Sequence, residues 1–237
     1  MGADDHRSRL LADVARSMNA SAHSLGRQPS TATALTEVVL LSLTTIDRAE
    51  HAGVTLVQGE GFTTVAASDA LPEQVDSVQY AAREGPCVDA STREKVYRGD
   101  DLATDDRWPE FSPRAVGLGV RSMLAVPLFE DDRRSGALNL YSSHAHAFDA
   151  EDEAVAVIFA AQASLALARS RERDSAQQLE EALDKSRVIS TAVGILMGSL
   201  GLTNEQAMDL MRRASQRLNR KVSDLAETVN YTGELPP

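Results

Sequence analysis

The chain has one cysteine, Cys87, so no internal disulfide can form and the disulfide-stapled class of small folds is excluded. Any thiol chemistry that needs an attacking and a resolving cysteine is excluded with it. The first twenty-six residues, MGADDHRSRLLADVARSMNASAHSLG, hold no apolar run long enough for a secretory signal or a membrane span. The sequence also lacks a glycine-rich phosphate loop, a Ser/His/Asp arrangement and a metal-ligand cluster, so the reading is of a protein that is not an enzyme and needs no cofactor. Positive charge is scarce, with 24 Lys and Arg against 35 Asp and Glu, a net charge of −11 and a pI near 4.9. That balance suits a soluble protein, expected in the cytoplasm and away from membranes. At 237 residues and 43% hydrophobic content, one sizeable core and one small one can be buried, which predicts two domains.

What the sequence does contain is concentrated in its last fifty-odd residues. Apolar residues recur there at helical spacing: Val188, Ile189, Ala192, Val193, Leu196 and Leu200, then Ala207, Met211, Ala214 and Leu218, then Val222, Leu225 and Val229. The pattern predicts three consecutive helices. Gly201 is placed to end the first, Thr203 with Gln206 forms a capping box for the second, and Ser223 is placed to cap the third through its hydroxyl.

The side of the first helix away from its apolar stripe carries Arg187, Ser190, Thr191, Gly194 and Gly198, with Met197 at the edge. A glycine inside a helix costs about 1 kcal/mol against alanine, so two on one face call for a reason. One reason is that something bulky must approach the helix backbone there. The second helix adds a basic edge of Arg213, Arg217, Arg220 and Lys221 beside Gln216 and Asn219. From Lys185 onward the net charge is +2, while the rest of the acidic chain carries −13. This segment is therefore where phosphates would land. On these residues alone the other reading stays open, a solvated helix face whose glycines merely permit helix packing.

The run Ala182, Leu183, Ser186, Arg187, Ile189, Ala192, Gly194, Leu196, Met197, Gly201, Ala207, Leu210, Arg213, Ala214, Ser215, Asn219, Lys221, Leu225 and Ala226 resembles the ANTAR domain, the three-helix RNA-binding module of bacterial transcription antiterminators. The resemblance implies binding of paired hairpins in nascent leader RNA, one protomer of a homodimer to each hairpin, with transcribing RNA polymerase affected indirectly. The RNA contacts it implies fall on Lys185, Arg187, Thr191, Gly194, Met197, Gly198, Arg213, Ser215, Gln216, Arg217, Asn219, Arg220 and Lys221. The module is expected over 184–232.

Ahead of it, Arg7 to Met18 predicts a short amphipathic helix, and 1–31 reads as that helix plus a linker. Ser30 and Thr33 are possible caps for a helix bearing Leu35, Val38, Val39, Leu43 and Ile46. A hairpin follows, GVTLV (53–57) and FTTVA (62–66) about a glycine-bearing turn. Then come a helix near 72–80, a short strand near Val96, a helical turn near 108–117, and stronger strands at 122–128 and 135–141 joined by Glu130-Asp131-Asp132-Arg133-Arg134. The order predicts an α+β domain, an antiparallel sheet with helices on one face.

The motifs EGPCVDA (84–90), DLATDDRWPEF (101–111), GVRSMLAVPL (119–128) and GALNLYS (136–142) make residues 32–168 resemble a GAF domain of the kind coupled to ANTAR modules in actinobacteria. The resemblance implies a sensor whose pocket lies between the sheet and the irregular middle segment, with Trp108, Phe111, Arg121, Asn139 and Tyr141 as candidates to bind an unknown small-molecule or protein signal. Plain core packing is the competing role for Trp108 and Phe111, as it is for Cys87 against redox sensing. His51, His144 and His146 have no cysteine or further histidine nearby to complete a metal site.

Between Pro127 and Pro236 there is no proline, and between Asp149 and Leu200 the only glycines are Gly194 and Gly198. A helix beginning near Asp149, with acidic residues at its positive end, can thus run on into the ANTAR-like module, about 75 Å for fifty residues. Its 3-4 stripe, Ile158, Gln162, Leu165, Arg169, Glu172, Ala176, Leu179, Leu183, Ser186, Ser190, Val193, Met197 and Leu200, is apolar at both ends and polar in the middle. Read as coiled coil, 169–183 is a helical linker along which two copies pair. Read otherwise, it is a plain connector. The two functions carried forward are a signal-controlled RNA-binding antiterminator and a ligand-sensing protein-interaction module without RNA binding.

Overall fold

The computed structural model describes residues 30–59, 61–130 and 133–236. The helix expected over Arg7 to Met18 lies outside them. The chain divides into two compact units, Met1–Ser170 and Arg171–Pro237.

The first unit opens with helix α1 (Thr31–Thr45), where the Ser30 side chain accepts from the Thr33 N–H at 3.2 Å. Hairpin β1 (His51–Gln58) and β2 (Gly61–Ala67) follows, then α2 (Ala70–Ala82), capped by Asp69. Next come α3 (Pro86–Arg93), β3 (Tyr97–Gly99), α4 (Ser112–Gly117), β4 (Ser122–Glu130) and β5 (Arg133–Ser142). The five strands form one sheet in the order β2-β1-β5-β4-β3, with every neighbouring pair antiparallel. α3 is an element that periodicity alone does not suggest. Its eight residues are too few for a helical repeat to show, and its signal is local, with Pro86 in the first turn behind Gly85.

Helices cover both faces of the sheet, not one. Leu124, Val126, Leu128, Leu138 and Leu140 point to a core shared with α1 and the start of the next helix. The alternate residues Met123, Ala125, Ala137 and Tyr141 point to a second core with Val75 of α2, Cys87 and Ala90 of α3, Trp108, Phe111 and Ala115. The physical reason is that β4 and β5 are apolar on both sides. A strand with that pattern is stable only when both its faces are covered.

Helix α5 spans Ala150–Leu200. A window of it is long and apolar enough by composition to cross a membrane, at mean hydropathy 1.3. Val155, Ala156, Phe159, Ala160, Ala163 and Leu167 are nevertheless buried in the first unit's core. Residues 171–187 are all exposed.

The second unit joins the end of α5 to α6 (Asn204–Leu218) and α7 (Val222–Thr232). Ala192, Val193, Leu196, Ala207, Met211, Ala214, Leu225, Ala226 and Val229 form its core. The capping box at Thr203 and Gln206 is present, and Gly201 follows α5 with φ of 65°. Ser223 does not cap α7. The helix begins at Val222, which leaves Lys221 as N-cap without a side-chain bond, while the Ser223 hydroxyl donates to Asp224 Oδ1 at 3.0 Å.

The 3-4 stripe is divided between the two cores and solvent. Ile158 packs on the first core, Val193 is buried in the second and Met197 packs against it. Its leucines Leu165, Leu179, Leu183 and Leu200 are exposed.

Candidate nucleic-acid interface

Ala192, Val193 and Leu196 face inward on α5, so at 100° per residue the opposite side must carry Arg187, Thr191, Gly194 and Gly198. All four are exposed. A Cβ built on Gly194 or Gly198 would meet no atom within 4 Å. Among the described residues the glycines therefore serve no packing, which removes the competing reason for them there. What they leave is a strip of helix backbone that a large partner can approach.

On α6 the apolar stripe of Ala207, Met211 and Ala214 turns Arg213, Gln216 and Arg217 outward. Arg213 is 76% exposed and bonded to Asp209 one turn earlier, with Nε at 2.8 Å from Oδ2. An exposed pair of this kind is worth at most about 1 kcal/mol, so the guanidinium is readily given up to a phosphate. Arg217 Nη2 donates to the Pro236 carbonyl at 3.3 Å, and Arg220 Nη2 to the Asp224 carbonyl at 3.3 Å and Thr228 Oγ1 at 3.4 Å. Lys185 lies 3.8 Å from Glu181.

Two of the expected contacts build the turn between α6 and α7. Asn219 takes the left-handed conformation, φ 51°, that ends α6, and the Ser215 hydroxyl donates to the Arg220 carbonyl at 2.5 Å. Of the thirteen expected RNA-contact residues, Met197 and Ser215 are half-buried and the other eleven exposed. The structure also forms a groove of about 790 Å³ between the end of α5, α6 and the segment after α7. Arg213 and Arg217 line it, whereas Gly194 and Gly198 do not. The open strip and the groove are thus separate features of one unit. Leu196 and Leu210 in the groove belong to the run that resembles the ANTAR domain, but neither they nor Ser199 carry a signal for a recess in the sequence.

In the first unit, Trp108, Phe111, Asn139 and Tyr141 are fully buried between the sheet and the middle segment. Arg121 lies at the edge, bidentate to Asp101 at 3.0 and 2.8 Å. That bonding holds the Asp101 carboxyl below the usual range. The Trp108 indole donates to Asp89 Oδ2 at 2.9 Å under the Arg107 guanidinium, which sits 4.3 Å from the ring. Glu84 of the EGPC motif accepts from the Phe111 N–H at 2.8 Å. The His51 ring pairs with Asp69 at 2.7 Å and the His144 ring with Glu50 at 3.3 Å. Among the described residues no group of three metal-ligating side chains gathers.

A buried polar cluster lies beneath the expected pocket. Asp76, wholly buried on α2, accepts at Oδ2 from Thr55 (3.1 Å) and Thr64 (2.9 Å), and at Oδ1 from Tyr141 (2.5 Å) and Gln79 (3.0 Å). The Tyr80 hydroxyl bonds both threonines at 2.8 and 2.9 Å. Asn139 Nδ2 donates to Thr55 Oγ1 at 3.0 Å and to Cys87 Sγ at 3.2 Å, while Asn139 Oδ1 is buried without a partner among the described residues. Burial pushes the Cys87 thiol up to about 12, which leaves almost no thiolate for redox chemistry at neutral pH. Tyr141 and Asn139 of this cluster belong to the sequence-derived site, whereas Asp76, Thr55, Thr64, Gln79 and Tyr80 do not. The available signal was a carboxylate on the same helix face as Val75 and Gln79.

Burial also raises the Asp76 carboxyl above its ordinary 3.8, against the pull of its four donors. The folded chain then holds that proton more tightly than the unfolded chain does. Stability from this group is intact below the ordinary value and is lost as pH rises toward the folded one. Asp76→Asn, which mimics the protonated form, is expected to gain on wild type by at most about 1.4 kcal/mol per pH unit above about pH 4. Urea unfolding of both proteins across that range checks it. Taking the difference cancels Glu50, Asp69 and Asp149, whose lowered values act in the opposite sense.

Two family models match the chain, the GAF domain over residues 29–168 and the ANTAR domain over 177–229. No curated protein matches it. Among solved structures, the GAF domain of an Acinetobacter phosphoenolpyruvate-protein phosphotransferase is similar at 17% identity and TM-score 0.56, over 70% of this chain and 98% of that one. The corresponding domain from Coxiella burnetii is similar at 18% and 0.53, over 70% and 96%. A free methionine-R-sulfoxide reductase from Neisseria meningitidis, in complex with its substrate, is similar at 16% and 0.51, over 71% and 91%. At these identities the likeness shows the fold alone. By the family matches, the chain belongs to the GAF-domain family and joins a GAF sensor domain to an ANTAR regulatory domain behind it.

Proposed function

We propose that this protein is a cytoplasmic transcription antiterminator whose C-terminal unit binds paired hairpins in nascent leader RNA, under control of a signal received at the GAF domain. The observation that carries the reading is the open strip on α5, where added Cβ atoms at Gly194 and Gly198 would meet nothing. Exposed Arg187 on the same strip, and Arg213 and Arg217 on α6, supply the positive charge. The orphan Asn139 Oδ1 is the group a small-molecule signal would satisfy, since a buried polar atom left unpaired costs about 1–3 kcal/mol. The test is titration of the full chain with a dual-hairpin leader RNA and a scrambled RNA of equal length. Preference for the hairpins, weakening with salt, is the expected result. Equal binding of the two RNAs refutes the reading.

A homodimer along 171–187 belongs to the same proposal. Leu179 and Leu183 are 62% and 61% exposed, one turn apart on a helical stretch with no buried residue. Such a stretch gains stability from a second copy and none from this one. Light scattering of the full chain is expected to give a dimer, and Leu179→Glu with Leu183→Glu a monomer. Equal masses for the two proteins would remove this element.

A further inference from the structure

The groove of the second unit is unlike the α5 strip in its chemistry. Its floor is apolar, with Leu196 2% and Ala214 6% exposed, Leu235 packed against the same core and half-buried Leu210 lining it. Its rim is charged, with Arg213 and Arg217 on one side and Glu234 on the other. A duplex stem presents phosphates and cannot use an apolar recess. A single base turned out of its stack can, because it is a flat apolar body with a polar edge. The volume of about 790 Å³ lies in the range of pockets that enclose small ligands.

We propose that this groove seats one unpaired nucleobase of the bound RNA, with Arg213 and Arg217 on the flanking phosphates and the Glu234 carboxylate on the base edge. Among the described residues Arg213 and Arg217 are engaged by an exposed carboxylate and a backbone carbonyl, partners that a phosphate replaces with a stronger, charge-assisted bond. Glu234 repels phosphate, so it acts on the base. As an acceptor it takes hydrogen bonds from the exocyclic amines of adenine, cytosine and guanine, which carry two N–H donors each, whereas uracil offers its edge a single ring N–H and is the weakest partner. The proposal rests on the RNA reading above and adds to it a base-specific element distinct from the glycine strip.

The experiment uses the full chain and a hairpin library with a fixed stem and a randomised loop. The selected hairpin is then made abasic at each loop position in turn. In wild type, one position is expected to lower affinity by about tenfold when abasic or replaced by uracil. Ser199→Trp, at an exposed position in the groove wall, fills the recess and is expected to bind the intact hairpin about tenfold more weakly and to lose the abasic effect. Glu234→Gln is expected to reduce discrimination against uracil at that position. A hairpin bound tightly with no abasic-sensitive loop position overturns the groove proposal and leaves the glycine strip as the RNA site, the more so if Gly194→Leu still weakens binding. Tight binding that survives Ser199→Trp unchanged also overturns it, and indicates that the recess takes an apolar side chain of a protein partner. No binding of any library member overturns both readings.

Discussion

Replacing Gly194 and Gly198 together by alanine is expected to stabilise the second unit and at the same time to weaken its binding of hairpin RNA by about tenfold or more. The two effects have separate causes. Both glycines lie inside α5, and a Cβ at either meets no atom within 4 Å. Alanine therefore costs no steric strain and recovers helix propensity, about 1 kcal/mol for each position. The loss on RNA comes from the same methyl groups, which stand where the partner's backbone would approach the helix. Gly194→Leu should deepen the loss on RNA while keeping the unit folded. Thermal unfolding gives the first effect and RNA titration the second. An alanine pair that is more stable and binds RNA as well as wild type would leave the glycines without a function. A pair that is less stable would mean the strip is covered by something in the native protein, a second copy included.

That opposition explains why the two glycines were legible in the sequence. A residue that lowers helix stability and is repeated on one helical face departs from what local preference favours. The helices and strands of the first unit were legible for the opposite reason. Leu35, Val38 and Val39 of α1, and Ile46 just past its end, keep the helical repeat and are buried, and in the second unit the capping box at Thr203 matches its sequence signature. Other features depend on contacts far apart in the chain. Asp76 is bonded by Thr55, Thr64 and Tyr141, from three different strands, so its helix neighbours Gln79 and Tyr80 alone do not announce the cluster. The second helical layer follows from the apolar residues on both faces of β4 and β5, which strand propensity alone does not report. A hydroxyl near a helix start is the usual cap, but α7 begins two residues earlier than a Ser223 cap requires, and the hydroxyl falls inside the first turn. The apolar ends of the α5 stripe suit pairing with a second copy, yet at the C-terminal end Val193 is 3% exposed in its own bundle. Periodicity shows which residues share a face and does not say which neighbour takes them.

Gly136→Ala should be the most destabilising single-methyl change in the first unit, at about 4 kcal/mol or more, in the range that marks a specific structural cause. Gly136 stands in the middle of the sheet, opposite Leu56 of β1 and Leu128 of β4. A Cβ there would lie 1.8 Å from the Thr55 carbonyl oxygen and 3.0 Å from the Leu56 Cα. Both are backbone atoms, so no side-chain rotation relieves the contact and β1 must move away from β5. Thr55 is also joined to Asp76, Tyr80 and Asn139 through its side chain. Moving β1 therefore strains the buried polar cluster as well as the ladder, and unpaired buried polar groups add their own cost. Gly59→Ala is the control. Its φ of 61° is left-handed but nothing lies within 4 Å of the added carbon, so only the backbone penalty of about 1–2 kcal/mol applies. Urea unfolding of the three proteins, compared at equal slope, measures both values. If Gly136→Ala costs no more than Gly59→Ala, the approach of β5 to β1 is looser than the structure has it. The case for a rigid polar cluster behind the signal site would fall with it.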